Sequence, residues 1–264
     1  MEDLAKDESN RFRKGHRRGP QLIRERFQTK LFLIPSFVTV GGIFCGFLAI
    51  LTSVKGEASH FIYAAQCIGW AFILDGVDGR VARSLNATSA FGREFDSLSD
   101  VISFGVAPAV LVYNWGLRNT ADEFGILVGF VYLVCGAARL ARFNVTTTDE
   151  PKSSFTGLPI PGAAVAIAAL VYSAPNYKPG EFMTGIISLY VLALGFLMIS
   201  TLPFFSLKKV KLSTENVRQT LIGLSVLVAL TWAYSRAMFL VIATAYVLSG
   251  PVKYILKRLG VTAA

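Results

Sequence analysis

Four aspartates and one glutamate, Asp75, Asp78, Glu94, Asp96 and Asp100, stand among apolar neighbours in a single 26-residue stretch. An ionisable side chain at membrane depth costs a few kcal/mol even on lenient scales, so such a concentration calls for a partner, and a divalent cation is the natural one. At about 100° per residue, Asp75, Asp78, Gly79, Ala82 and Arg83 share one helical stripe. Gly92, Asp96, Ser99, Asp100 and Ser103 share another, and the short connection between the two helices sets these stripes side by side. Oxygen ligands without histidine or cysteine suit Mg2+ or Mn2+, and four carboxylates suffice for two ions ~4 Å apart clamping a phosphate. The chemistry that follows is phosphoryl transfer. Spacing alone leaves open which carboxylate would accept a proton.

Gly76, Gly79 and Gly92 lie in or beside the cluster, where each glycine lowers helix stability by roughly 1 kcal/mol relative to alanine. A nucleotide pressed against the helix backbone accounts for Gly79, Ala82 and Gly92 together; close helix packing through small residues accounts for any one of them. Arg83 can pair with a phosphate or an aspartate, or can anchor the span at the interface. Arg139 and Arg142, three apart near the inner end of a later span, can hold a phosphate or a carboxylate, or can snorkel. His16 and His60 are distant from each other in the chain, and Cys45, Cys67 and Cys135 show no paired spacing. Histidine or thiolate chemistry is therefore not expected.

The elements that must position these groups are membrane helices. The 264-residue chain is 53% hydrophobic and 16% charged, with a mean hydropathy of +0.52, far from the composition of a soluble domain. Apolar stretches near 31–53, 60–79, 93–115, 124–144, 158–174, 182–204, 219–235 and 237–256 predict an all-α integral membrane protein with about eight transmembrane helices. Basic residues crowd the ends on the N-terminal side, leaving Lys55, Arg118, Lys178 and Arg236 on the other. By the positive-inside rule both termini are cytoplasmic, which requires an even number of crossings. The same distribution explains the net charge of +9 without nucleic acid. Residues 1–30 read as a basic cytoplasmic tail, with Leu22, Ile23 and Phe27 against Arg24, Arg26 and Lys30 suggesting a short amphipathic helix on the membrane surface. Residues 31–258 form one transmembrane domain, and 259–264 a short cytoplasmic tail. Pro159 and Pro161 beside Gly157 and Gly162 read as an irregular helix entry, and the tryptophans as interfacial or lipid-facing packing.

The pattern Asp75-x-x-Asp78-Gly79-x-x-Ala82-Arg83, eight residues, Gly92-x-x-x-Asp96-x-x-x-Asp100 resembles the full signature of the CDP-alcohol phosphotransferase family. Flanking segments extend the resemblance toward the branch that uses serine as acceptor: Phe44 to Ile50, Asp96 to Pro108, Arg139 to Asn144 and Phe155 to Pro161. One departure is Ser36 after Pro35, where family members often carry asparagine; a nucleotide contact through that asparagine is not carried over. The resemblance implies metal binding by Asp75, Asp78, Asp96 and Asp100, with Asp100 also the catalytic base. It implies that CDP is held by Asp78, Gly79, Ala82, Arg83, Gly92 and Asp96. It further implies a homodimer in the cytoplasmic membrane that moves a phosphatidyl group from CDP-diacylglycerol to L-serine, releasing CMP on the cytoplasmic side. Two rivals stand beside it: the same chemistry with glycerol 3-phosphate, inositol phosphate or choline as acceptor, and a divalent-cation transporter. A transporter commonly places its site at mid-membrane between two repeats, whereas these carboxylates crowd one helix pair with no second half to mirror them.

Overall fold

In a hydrocarbon layer every backbone N–H and C=O needs an internal partner, which leaves the helix as the regular element open to an apolar chain of this length. The computed structural model describes residues 36–84, 90–118, 122–146, 157–177, 180–204 and 234–259, and every regular element among them is a helix. In chain order these are α1 (Ser36–Ser53), α2 (Ala58–Ser84), α3 (Ala90–Asp100), α4 (Ala107–Val112), α5 (Asp122–Thr146), α6 (Ile160–Ser173), α7 (Glu181–Ile199) and α8 (Ser235–Arg258). π-helical turns at Val101–Val106 and Tyr113–Leu117 join α3 and α4 into one crossing.

Among the described residues six helices are long and apolar enough to span a bilayer, against the eight expected. The fifth expected span appears as α6, whose 14 residues rise about 21 Å, short of a ~30 Å hydrocarbon core. Its position explains how a short helix is tolerated. Ile160, Ala163, Ala164, Ile167 and Val171 are buried as α6 packs against α2, α4 and α8, so other helices surround most of it instead of lipid. The expected span at 219–235 falls, except for its last two residues, outside the described residues, as do the tail and surface helix of 1–30.

The third crossing widens into a π turn just after Asp100, and Pro108 supplies the reason. Proline has no N–H to give to the carbonyl four residues back, and its ring crowds that carbonyl. That carbonyl belongs to Phe104, and the buried Tyr132 hydroxyl on α5 donates to it at 3.0 Å. At the end of the bundle remote from the aspartates, Asn114 Nδ2 donates to Ser53 Oγ at 3.5 Å and Thr184 Oγ1 to the Gly116 carbonyl at 3.3 Å. Trp115 differs from the lipid-facing role expected of the tryptophans: it is 4% exposed, and its indole N–H donates to the Ala174 carbonyl at 2.9 Å. The indole thus ties the third crossing to the end of α6.

At the aspartate end, Asn144 Nδ2 donates to Ser97 Oγ at 3.0 Å, holding α5 to α3. Gly157 adopts φ +83°, where a Cβ would come within 2.5 Å of the Met198 carbonyl. Its N–H donates to Leu202 O, and that of Leu158 to Leu197 O, so the entry to α6 is stitched to the end of α7. Pro159 caps α6, as the paired prolines suggest.

Candidate active site

Asp75 and Asp78 stand near the C-terminal end of α2, one helical turn apart, and α3 presents Asp96 across from them. Carboxylate oxygens of Asp75, Asp78 and Asp96 lie within 4.8 Å of one another. At that range two unit charges repel by about 3 kcal/mol at an effective dielectric of ~20. Three such pairs stay together only in a fold that fixes the helices, or with a cation between them.

The helices are fixed. A Cβ on Gly46 of α1 would fall 2.8 Å from Ser103 Cα in the third crossing, and Ser103 Oγ donates to the Gly42 carbonyl at 3.0 Å. A Cβ on Gly41 would touch Leu74 of α2 at 3.4 Å. Small residues thus let α1 lie against both acid-bearing helices. From this close position Thr39 Oγ1 donates to Asp78 Oδ2 at 2.9 Å. Thr39, Ser99 and Ser103 line one cleft with Asp75 and Asp78. The expected stripe of Ser99, Asp100 and Ser103 is therefore turned toward α1 and α2.

Asp100 comes within hydrogen-bonding reach of the Asp75 side chain and stands in the field of Arg139. Arg139 itself is 9% exposed, and its Nε has no hydrogen-bond partner among the described residues. Arg142 points elsewhere: its guanidinium donates to the carbonyls of Ile199 at 3.0 Å and Ser200 at 3.5 Å. It thereby caps the last turn of α7, a favourable place for a cation.

A Cβ at Gly76 or Gly79 would meet no atom within 4 Å, so these two glycines border open space and not a neighbouring helix. Gly92 lies half-buried in the first turns of α3. Ala82 and Arg83 belong to α2, and their side chains lie outside the described residues. Sequence reasoning passed over Thr39; its one signal is a hydroxyl in the otherwise apolar run from Phe37 to Leu51.

Hard oxygen donors at this separation fit Mg2+ or Mn2+. Asp75, Asp78 and Asp96 could hold such an ion, with nitrogen and sulfur ligands absent from the group. A partly buried acidic cluster facing one end of a helical bundle, with open space beside it and a buried arginine behind it, can bind a charged phosphate ester and activate an attacking hydroxyl.

Comparison with known proteins gives the same answer. The profile of the CDP-alcohol phosphatidyltransferase family matches residues 32–250. A CDP-diacylglycerol–serine O-phosphatidyltransferase of Helicobacter pylori is 40% identical over 196 residues, covering 74% of this chain and 81% of the relative. One from Bacillus subtilis is 37% identical over 177 residues, covering 67% and 92%. An archaetidylserine synthase of Methanothermobacter thermautotrophicus is 36% identical over 190 residues, covering 69% and 74%. With the signature aspartates gathered at one end of the bundle and the match running through nearly all its helices, the chain belongs to the CDP-alcohol phosphatidyltransferase family.

Proposed function

We propose that this protein transfers the phosphatidyl group of CDP-diacylglycerol to L-serine, giving phosphatidylserine and CMP. The gathering of Asp75, Asp78 and Asp96 within 4.8 Å carries the reading, and the names of the relatives direct it to serine. A serine hydroxyl is a weak nucleophile at neutral pH. Asp100, next to the trio, accepts its proton as its oxygen forms a bond to the phosphorus that carries diacylglycerol. The bond from that phosphorus to the bridging oxygen breaks, and CMP leaves with the electron pair.

Asp75, Asp78 and Asp96 would hold one Mg2+ or Mn2+, and Asp100 would complete the site for a second; bound ions neutralise charge growing on the pyrophosphate. Gly79, with Ala82 and Gly92, leaves the nucleotide room against the backbone, and Arg83 pairs with one of its phosphates. Arg139, buried and with an Nε that has no partner among the described residues, holds the serine carboxylate or the donor phosphate. Arg142, whose guanidinium is given to the end of α7, would support that site from the neighbouring turn of α5. Our reading also includes the homodimer that the family resemblance implies, set in the inner membrane with its site toward the cytoplasm.

The test is CMP release by purified protein with CDP-diacylglycerol, Mn2+ or Mg2+, and serine, glycerol 3-phosphate, inositol phosphate, choline or no acceptor. Release should require serine, stop on chelation of the metal, return when the ion is restored, and fall at least about 100-fold in Asp96→Asn. Release with another acceptor keeps the chemistry and overturns serine. No release with any acceptor, together with Mn2+ flux into sealed vesicles, would favour a transporter.

A further inference from the structure

We propose that Thr39 is a positioning residue for the metal site, acting through Asp78. The inference rests on the reading that the aspartates hold the ion. Thr39 Oγ1 donates to Asp78 Oδ2 at 2.9 Å, and both residues are buried, at 7% and 5% exposure. A carboxylate on a helix can rotate about its terminal torsion. A hydroxyl bonded to one of its oxygens removes that freedom and directs the remaining lone pairs toward Asp75 and Asp96. Partners of this kind, which fix a ligand without touching the ion, commonly change metal affinity 10- to 100-fold when lost.

Two features separate this contact from an incidental one. First, Thr39 reaches across helices, whereas Thr52 and Ser53 later in α1 give their hydroxyls to carbonyls three or four residues back in their own helix. Second, the backbone that carries Thr39 is held from both sides, by Gly41 against Leu74 of α2 and by Gly46 against Ser103 of the third crossing. The donor is therefore presented by a helix held close against both acid-bearing crossings, at the Asp78 side of the trio. A residue in α1 thereby sets the geometry of a site whose ligands all lie on the next two crossings.

The experiment uses the full chain in detergent micelles, as the wild type and as Thr39→Val and Thr39→Ser. Mn2+ binding is titrated by loss of the free-ion electron paramagnetic resonance signal, with neither CDP-diacylglycerol nor serine present. In parallel, the Mn2+ concentration for half-maximal CMP release and the metal-free thermal midpoint are measured. Thr39→Val should weaken Mn2+ binding about 10-fold or more and raise the half-maximal concentration in step, with kcat at saturating Mn2+ within about threefold of wild type. Thr39→Ser, which keeps the hydroxyl, should stay within about twofold.

Wild-type Mn2+ affinity in Thr39→Val overturns the proposal. So does an equal loss in Thr39→Ser, since the hydroxyl would then not be the determinant. Lost activity at unchanged Mn2+ affinity also overturns it, and would mean that Thr39 contacts substrate. If Thr39→Val does not fold, Thr39→Ala replaces it, with the same loss expected and the same outcomes decisive. A wild-type chain that binds no Mn2+ overturns the metal reading and this inference together. A different acceptor specificity leaves the binding result standing, because no acceptor is present in the titration.

Discussion

Gly79 stands next to Asp78, and a Cβ there would meet no atom within 4 Å. An added methyl therefore meets no neighbour among the described residues, and should if anything favour the helix by up to about 1 kcal/mol. If the open space receives the nucleotide, Gly79→Ala should leave the thermal midpoint unchanged or slightly raised while KM for CDP-diacylglycerol rises several-fold. Steady-state kinetics beside a thermal melt separate the two effects, and an unchanged KM would place the nucleotide elsewhere. At this scale the acids were legible in the sequence because charge at membrane depth is costly enough to need a reason. Thr39 was not, because a hydroxyl in a membrane helix ordinarily satisfies itself locally. Thr52, Ser173, Ser188 and Ser249 each donate to a carbonyl of their own helix. Only the distance to Asp78 distinguishes Thr39 from them. Arg142 was legible as a cation near the site end, but its bond to the end of α7 depends on a contact 57 residues away in sequence.

Whether those groups meet depends on how α1 and the third crossing lie together. Gly46→Leu would drive a side chain into the Ser103 backbone, where a Cβ already falls at 2.8 Å. Overpacking of this kind costs about 1–3 kcal/mol, and the separation it forces should lower both the thermal midpoint and Mn2+ affinity. A normal midpoint with normal metal binding would show that α1 is free to shift. A different element-scale test follows from Pro108. Tyr132→Phe removes the hydroxyl that satisfies the Phe104 carbonyl in a buried setting, and leaving such an acceptor unpaired costs about 1–3 kcal/mol. The melt should shift downward with little change in KM, because Tyr132 is on α5 and is not among the residues that line the aspartate cleft. The long spans were readable from apolar runs alone. The π turns were not, since hydropathy does not register whether a turn holds one residue more, and the lone mark of widening was a proline inside an apolar stretch. The shortness of α6 was legible, but its sheltered place was not, because burial by other helices and burial by lipid demand the same apolar composition.

For the molecule as a whole, function requires the aspartate end to face the compartment that supplies serine and CDP-lipid headgroups. The described helices alternate in direction: α2, α5 and α7 finish at that end, as the bonds from Asn144 to Ser97 and from Arg142 to Ile199 require, and α1, α3 and α6 begin there. α8 runs antiparallel to α6, with Phe239 beside Tyr172 and Tyr246 beside Gly162, so its C-terminal end also lies there. Exposed Arg80, Arg93, Lys253 and Arg258 gather at this end, while exposed Lys55, Arg118 and Arg236 mark the other. Basic residues near span ends are retained on the cytoplasmic side, and this distribution is the argument for the inward orientation proposed above. In a background with Cys45, Cys67 and Cys135 replaced by alanine, Glu57→Cys and Ser84→Cys place single thiols at exposed positions on opposite ends. A membrane-impermeant maleimide added to intact cells should label Glu57→Cys at once and Ser84→Cys only after permeabilisation. The reverse pattern would put the site on the outer face, where CMP would be lost from the cell, and would overturn the proposed orientation even if the chemistry stood.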